Sequence, residues 1–148
     1  PIGLLAIAWR DAAAWRSEEA YSRATLRIFP DSWRAHVNLA TSAYLAKDFE
    51  TGYAEAKRAA QLQNNVYSWG WVGMNAMFLP GHLDEAEFAF KKALALDPTR
   101  PETYKNMANL LKMAGRPEEA AAILEKMPQP IDASAADSKT SFALPQMN

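Results

Sequence analysis

Apolar and small residues recur along this chain at helical spacing, and the whole pattern returns every 34 residues. In the last copy Tyr104, Met107, Ala108 and Leu111 stand at i, i+3, i+4 and i+7, which is one face of an α-helix, and Ala120, Leu124 and Met127 mark a second helix. Ala86, Phe90 and Ala93 repeat the second set one period earlier, and Leu39, Ala40 and Ala43 repeat the first set two periods earlier. Between the two sets lie polar segments in one register: Asp48-Phe49-Glu50-Thr51-Gly52, His82-Leu83-Asp84-Glu85-Ala86 and Arg116-Pro117-Glu118-Glu119-Ala120. The pattern predicts helix pairs over residues 33–66, 67–100 and 101–132, beginning near Trp33, Tyr67 and Pro101. Residues 1–32 read as an N-terminal helical element whose amphipathic part runs through Trp15, Ala20, Ala24 and Ile28. At Pro128-Gln129-Pro130 the pattern breaks, and the small, polar stretch that follows predicts a flexible tail over residues 133–148. Phe142 and Leu144 in that tail could alternatively cover the outer face of the last helix pair.

A single pair of helices cannot bury its own apolar face, so pairs of this kind stack, and the small residues let their backbones approach. The period, the placement of small residues and Asp97-Pro98 at the end of the middle unit resemble the tetratricopeptide repeat (TPR). The resemblance implies an all-α, right-handed superhelix of antiparallel helix hairpins. The unit over 33–66 matches least well, with His36 for the usual aromatic, Gly52 for the usual Ala, Ala56 for a large residue and Asn64 for the terminal Pro. In the middle unit Gly81 is expected to end the first helix, since glycine readily takes positive φ.

The middle unit also breaks register. In strict alignment Gly70 and Gly73 fall on two large core places, costing about 1 kcal/mol each in helix propensity. A shift of one residue makes Trp71, Met74 and Phe78 the large core residues, with one extra residue after Asn64 and one fewer near Pro80. The shifted frame sends Trp69 to the inner face, and the strict frame sends Trp71 there.

Composition narrows the function. A chain of 148 residues with a formal net charge of −1 has no field favouring nucleic acid or an anionic membrane, and it contains no cysteine for disulfide or thiolate chemistry. His36 and His82 are the only histidines and do not form a ligand pair, so neither a metal nor another cofactor is expected. Glu18, Glu19, Glu118 and Glu119 suit helix N-termini, where the helix dipole favours them without catalysis. The chain is therefore read as a binding module for a protein or peptide and not as an enzyme.

In the TPR family the concave face is lined by the first helix of each hairpin. Carried onto this chain, that implies a groove of Arg34, Asn38, Thr41 and Tyr44, then Trp69 or Trp71 with Asn75, then Lys105, Asn109 and Lys112, accompanied by Val37, Ser68, Val72, Phe78, Glu102 and Asn106. The carboxylate clamp of cochaperone TPR domains is missing: Val37 and Thr41 stand at its opening Lys and Asn places, Val72 at the middle Asn, and Glu102 and Asn106 at the final basic pair.

The passage Trp9-Arg10-Asp11, Trp15-Arg16-Ser17-Glu18-Glu19-Ala20-Tyr21 and Pro30-Asp31-Ser32-Trp33-Arg34 resembles the junction between the last membrane helix and the repeats of polytopic transmembrane-and-TPR proteins, the O-mannosyltransferases among them. That resemblance implies an alternative: repeats outside the cytoplasm, scaffolding a complex or positioning substrate for a membrane-embedded glycosyltransferase part of the same polypeptide. Residues 1–9 would then end a membrane helix. The other reading makes them a helix packed on the first repeat.

Overall fold

A computed structural model describes residues 18–129, and every regular element among them is an α-helix. The helices are α1 (Glu18–Ile28), α2 (Trp33–Leu45), α3 (Phe49–Leu62), α4 (Val66–Ala76), α5 (Leu83–Leu96), α6 (Pro101–Met113) and α7 (Pro117–Glu125). Consecutive helices pack antiparallel as hairpins, α2 on α3, α4 on α5 and α6 on α7, with α1 against α2. The residues expected to end a membrane helix, the junction before Glu18 and the tail from Pro130 lie outside the described residues. No helix among the described residues is long and apolar enough to cross a membrane.

Local signals start and stop the helices. Ser32, Asp48 and Asn65 cap α2, α3 and α4 by accepting from the backbone N–H of Ala35, Thr51 and Ser68. Pro101 and Pro117 open α6 and α7, where a missing N–H costs nothing. At the end of α2, Lys47 N–H reaches Tyr44 O and Asp48 N–H reaches Ala43 O. At the end of α6, Gly115 N–H reaches Lys112 O and Arg116 N–H reaches Leu111 O. These are Schellman closures, and they put Lys47 (φ 61°) and Gly115 (φ 73°) in the left-handed region.

The core is built of small residues at helix crossings. Ala40, Ala56, Ala59, Ala86, Ala89, Ala93 and Ala120 are fully buried, and Phe90, Met107, Leu110 and Leu111 fill the space between the last two hairpins. First helices also touch across repeats, α2 against α4, whereas α3 and α5 leave a cleft between them. Contact on one side and opening on the other curve the stack.

The register of the middle hairpin is corrected by the structure. The second helices start at Phe49, Leu83 and Pro117, evenly spaced, but the first helices start at Trp33, Val66 and Pro101. Helix α4 is therefore displaced one residue toward the N-terminus, the opposite sense to the expected shift. Trp69, Val72, Gly73 and Ala76 take the places held by His36, Leu39, Ala40 and Ala43 in α2 and by Tyr104, Met107, Ala108 and Leu111 in α6. Trp71 and Met74 are only partly buried and Phe78 is 41% exposed, so these three are not the core set. The cause is steric. Gly73 faces the buried ring of Phe90, and only a residue without a side chain fits there. The extra residue goes into the α4–α5 turn, so Gly81 (φ 79°) lies in that turn and does not end α4, which stops at Ala76.

One anchoring contact recurs in all three first helices. Tyr104 O–H donates to Pro98 O (3.0 Å), Trp69 Nε1–H donates to Asn64 Oδ1 (2.6 Å), and His36 Nε2 lies 3.1 Å from Pro30 O. His36 replaces the aromatic because it makes the same backward contact, and its Nδ1 adds a 2.6 Å partner in Glu55 on α3.

Candidate binding groove

The inner face consists of α2, α4 and α6 side by side. Trp33, Arg34, Val37 and Asn38 of α2 and Tyr67 of α4 line one hollow, of about 360 Å³. Tyr67, Gly70, Trp71 and Met74 of α4, Arg100 before α6, and Glu102, Thr103 and Asn106 of α6 line the next, of about 220 Å³. Tyr67 belongs to both and is 52% exposed, so it forms the ridge between them. The register of α4 places it there: with the helix starting at Val66, Tyr67, Gly70, Trp71 and Met74 fall on the same face as Arg34, Val37, Asn38 and Thr41.

Aromatic and cationic groups dominate this face. The Arg100 guanidinium lies 4.5 Å from the Tyr67 ring centroid and that of Arg34 lies 4.8 Å from Trp33. Beyond Trp71 the ring of Tyr44 meets it edge-on at 5.6 Å and meets Phe49 at 5.7 Å, and Phe49 stacks on Phe78 at 4.7 Å. Trp71 is thereby fixed on one edge and open toward the hollow. The Thr41 hydroxyl donates to Val37 O within its own helix (2.9 Å), which leaves mainly its methyl to the surface. Lys105, Asn109 and Lys112 are exposed along α6, and neither lysine makes an ion pair among the described residues.

Four residues expected along the groove lie elsewhere. Asn75 is fully buried, its Nδ2 donating to Trp71 O (3.0 Å), because the displaced α4 turns it toward α3. Trp69 faces the other side of the molecule, against Phe88 of α5. Ser68 and Val72 are likewise buried. In their place stand Tyr67, Gly70, Met74 and Arg100, which the sequence reading missed. The spacing Trp69-x-x-Val72-Gly73 is the signal that finds them, since it fits the repeat's large-x-x-large-small order when α4 starts at Val66. The clamp place assigned to Val72 passes to Trp71, which offers no amide, so the carboxylate clamp stays incomplete. Among the described residues no group of three His, Cys, Asp or Glu side chains converges.

A tetratricopeptide-repeat family model matches residues 78–138. No curated protein sequence matches the chain. Among solved structures, MamA MSR-1 is 21% identical with a TM-score of 0.62, covering 89% of this chain and 72% of its own. MamA AMB-1 is 24% identical with a TM-score of 0.62, covering 93% of this chain and 72% of its own. TTC0263, a thermophilic TPR protein in Thermus thermophilus, is 22% identical with a TM-score of 0.65, covering 88% of this chain and 74% of its own. Hairpins of this geometry stacked across residues 33–125, with the family match over residues 78–138, give the chain a tetratricopeptide-repeat fold.

Proposed function

We propose that this chain is a non-catalytic interaction module that binds a protein or peptide segment along the inner face of α2, α4 and α6. The observation that carries the reading is the Tyr67 ridge. A half-exposed tyrosine with Trp71 and Met74 beside it and Arg100 over its ring presents apolar contact area to the hollow. Large, stiff aromatic side chains with a cationic neighbour are the residue types that dominate binding energy at protein interfaces. Asn38 and Asn106, one in each hollow, can pair with the backbone of an extended segment. Lys105 and Lys112 favour an acidic or carbonyl-rich end of that segment near α6.

The test is affinity capture with the intact chain from its native extract, repeated with Tyr67→Ala and with Lys105→Glu combined with Lys112→Glu. All three side chains are exposed, so folding is retained. Partners held by the parent and by an Arg27→Glu control, but lost from both variants, support the groove. Undiminished capture by both variants places binding elsewhere.

A further inference from the structure

On the side opposite the groove, α3 and α5 stand apart over α4 and leave a second cleft, of about 420 Å³. Tyr53 of α3 and Phe88 of α5 form its walls, and Trp69 and Val72 of α4 its floor. Phe88 is 52% exposed, and Trp69 meets it edge-on, with centroids 5.8 Å apart. The bond from Trp69 Nε1–H to Asn64 Oδ1 fixes the indole, so the floor is formed before any ligand arrives. A volume of this order lies within the range of about 300–1,000 Å³ typical of ligand pockets.

Each wall carries a cation. Lys57 Nζ lies 4.9 Å from the Tyr53 ring centroid and Lys92 Nζ 5.4 Å from that of Phe88. Neither lysine has an ion-pair partner among the described residues. The one carboxylate in the cleft, Glu85, accepts from the Tyr53 hydroxyl and also faces His82 Nδ1 at 3.4 Å. The cleft thus joins an aromatic interior to one lining cation, Lys57, with Lys92 beside the Phe88 ring just outside the lining.

The next repeat shows that packing does not require this arrangement. Between α5 and α7 the equivalent places of Tyr53, Lys57, Glu85 and Phe88 are held by Glu87, Lys91, Glu119 and Ala122. There Arg116 bridges Glu87 and Glu119, and Lys91 pairs with Glu87, so ion pairs line a smaller cleft, of about 220 Å³, where aromatic rings line the first.

We infer that the α3–α5 cleft is a second docking site, taking one aromatic or leucine side chain of a partner polypeptide whose flanking residues are acidic. The rings supply the apolar contact, and Lys57 and Lys92 select carboxylates on either side of the inserted residue. The site is independent of the inner groove, so an array of this kind holds two segments at once.

Titration of acetyl-Glu-Glu-Phe-Glu-Glu-amide into the full chain, followed by ¹H–¹⁵N spectra, tests this, with the indole N–H of Trp69 as reporter. The expected result is a saturable shift of Trp69 with Trp33 and Trp71 unmoved. Phe88→Ala, which installs the residue found at 122, is expected to weaken binding at least about tenfold. Lys57→Glu combined with Lys92→Glu is expected to weaken it at least about fivefold and to remove its salt dependence. Peptides with Ser for Phe, or Lys for every Glu, should not shift Trp69. The inference is overturned if Trp71 moves instead of Trp69, if the lysine peptide binds equally well, if Phe88→Ala leaves the affinity unchanged, or if no saturable shift occurs at millimolar peptide.

Discussion

The side chain of Asn75 occupies the space that a methyl group on Gly52 would need: a Cβ at Gly52 would lie 2.6 Å from Asn75 Cγ and closer still to its Oδ1. The other two hairpins have Ala86 and Ala120 at the place of Gly52, both fully buried. The first hairpin gives up that methyl, and the polar side chain of the next first helix fills the gap. Asn75 Oδ1 has no hydrogen-bond partner there, so the site couples a missing methyl to a buried, half-satisfied amide.

This coupling predicts a reversal of sign. Gly52→Ala alone gains about 1 kcal/mol in helix propensity but overpacks against Asn75, a cost of about 1–3 kcal/mol, so it is expected to destabilise. In an Asn75→Ala background the obstruction is gone and the same substitution should stabilise. Urea denaturation of the four proteins in the cycle measures it. Additive effects, with Gly52→Ala destabilising in both backgrounds, would remove Asn75 as the cause.

The two glycines of α4 are expected to respond oppositely. A Cβ on Gly73 would lie 2.6 Å from Phe90 Cε1 and 2.8 Å from Cδ1 and Cζ of a ring with no exposure to yield into. Gly73→Ala should therefore lower stability by about 1–3 kcal/mol. A Cβ on Gly70 meets nothing within 4 Å, and Gly70→Ala should raise stability by about 0.5–1 kcal/mol. Thermal midpoints moving in the same direction would contradict the register of α4.

Lys47 offers a simple stabilisation. It adopts φ 61° at the turn place where the later hairpins have Gly81 and Gly115. A side chain in the left-handed region costs about 1 kcal/mol or more, so Lys47→Gly should raise the thermal midpoint by a few degrees and Gly115→Lys should lower it. An unchanged midpoint for both would mean that the turns relax without strain.

The hairpins were legible because their second helices repeat without slippage: Ala86, Phe90 and Ala93 reproduce the spacing of Ala120, Leu124 and Met127, and Asp97-Pro98 closes the unit. Helix α4 was not legible in the same way. Its two tryptophans and two glycines fit three frames, and hydrophobicity does not rank them, because the deciding fact is a contact between Gly73 and a ring seventeen residues later. The candidate groove inherited that ambiguity. Arg34, Asn38, Lys105 and Lys112 sit on helices whose frame was never in doubt, whereas Asn75 and Trp69 lie on the helix that slipped. The inter-repeat pairing of Glu87 with Arg116 was invisible for a different reason, since no periodic signal marks an ion pair between two successive hairpins.

Glu87 is held below the usual carboxylate range, first by the hydrogen bonds from Arg116 and then by that from Lys91. The same guanidinium lowers Glu119. A carboxyl whose pKa is lower folded than unfolded binds fewer protons in the folded state, so its stabilising effect is complete above the unfolded value and is lost as pH falls through the folded one. The contact between the last two hairpins should therefore weaken below about pH 4, near where unfolded carboxylates titrate. Replacing Glu87 with Gln removes the shifted group while keeping its shape, and the stability of that variant should fall less steeply than the parent's between about pH 5 and pH 2. Raising the salt concentration at neutral pH should narrow the difference between the two, because part of the attraction is screened. Denaturation midpoints across that pH range check the slope. Parallel curves for parent and variant would show that Glu87 titrates alike in the folded and unfolded chains, and would remove the Arg116 bridge as a pH-dependent tie between α5 and α7.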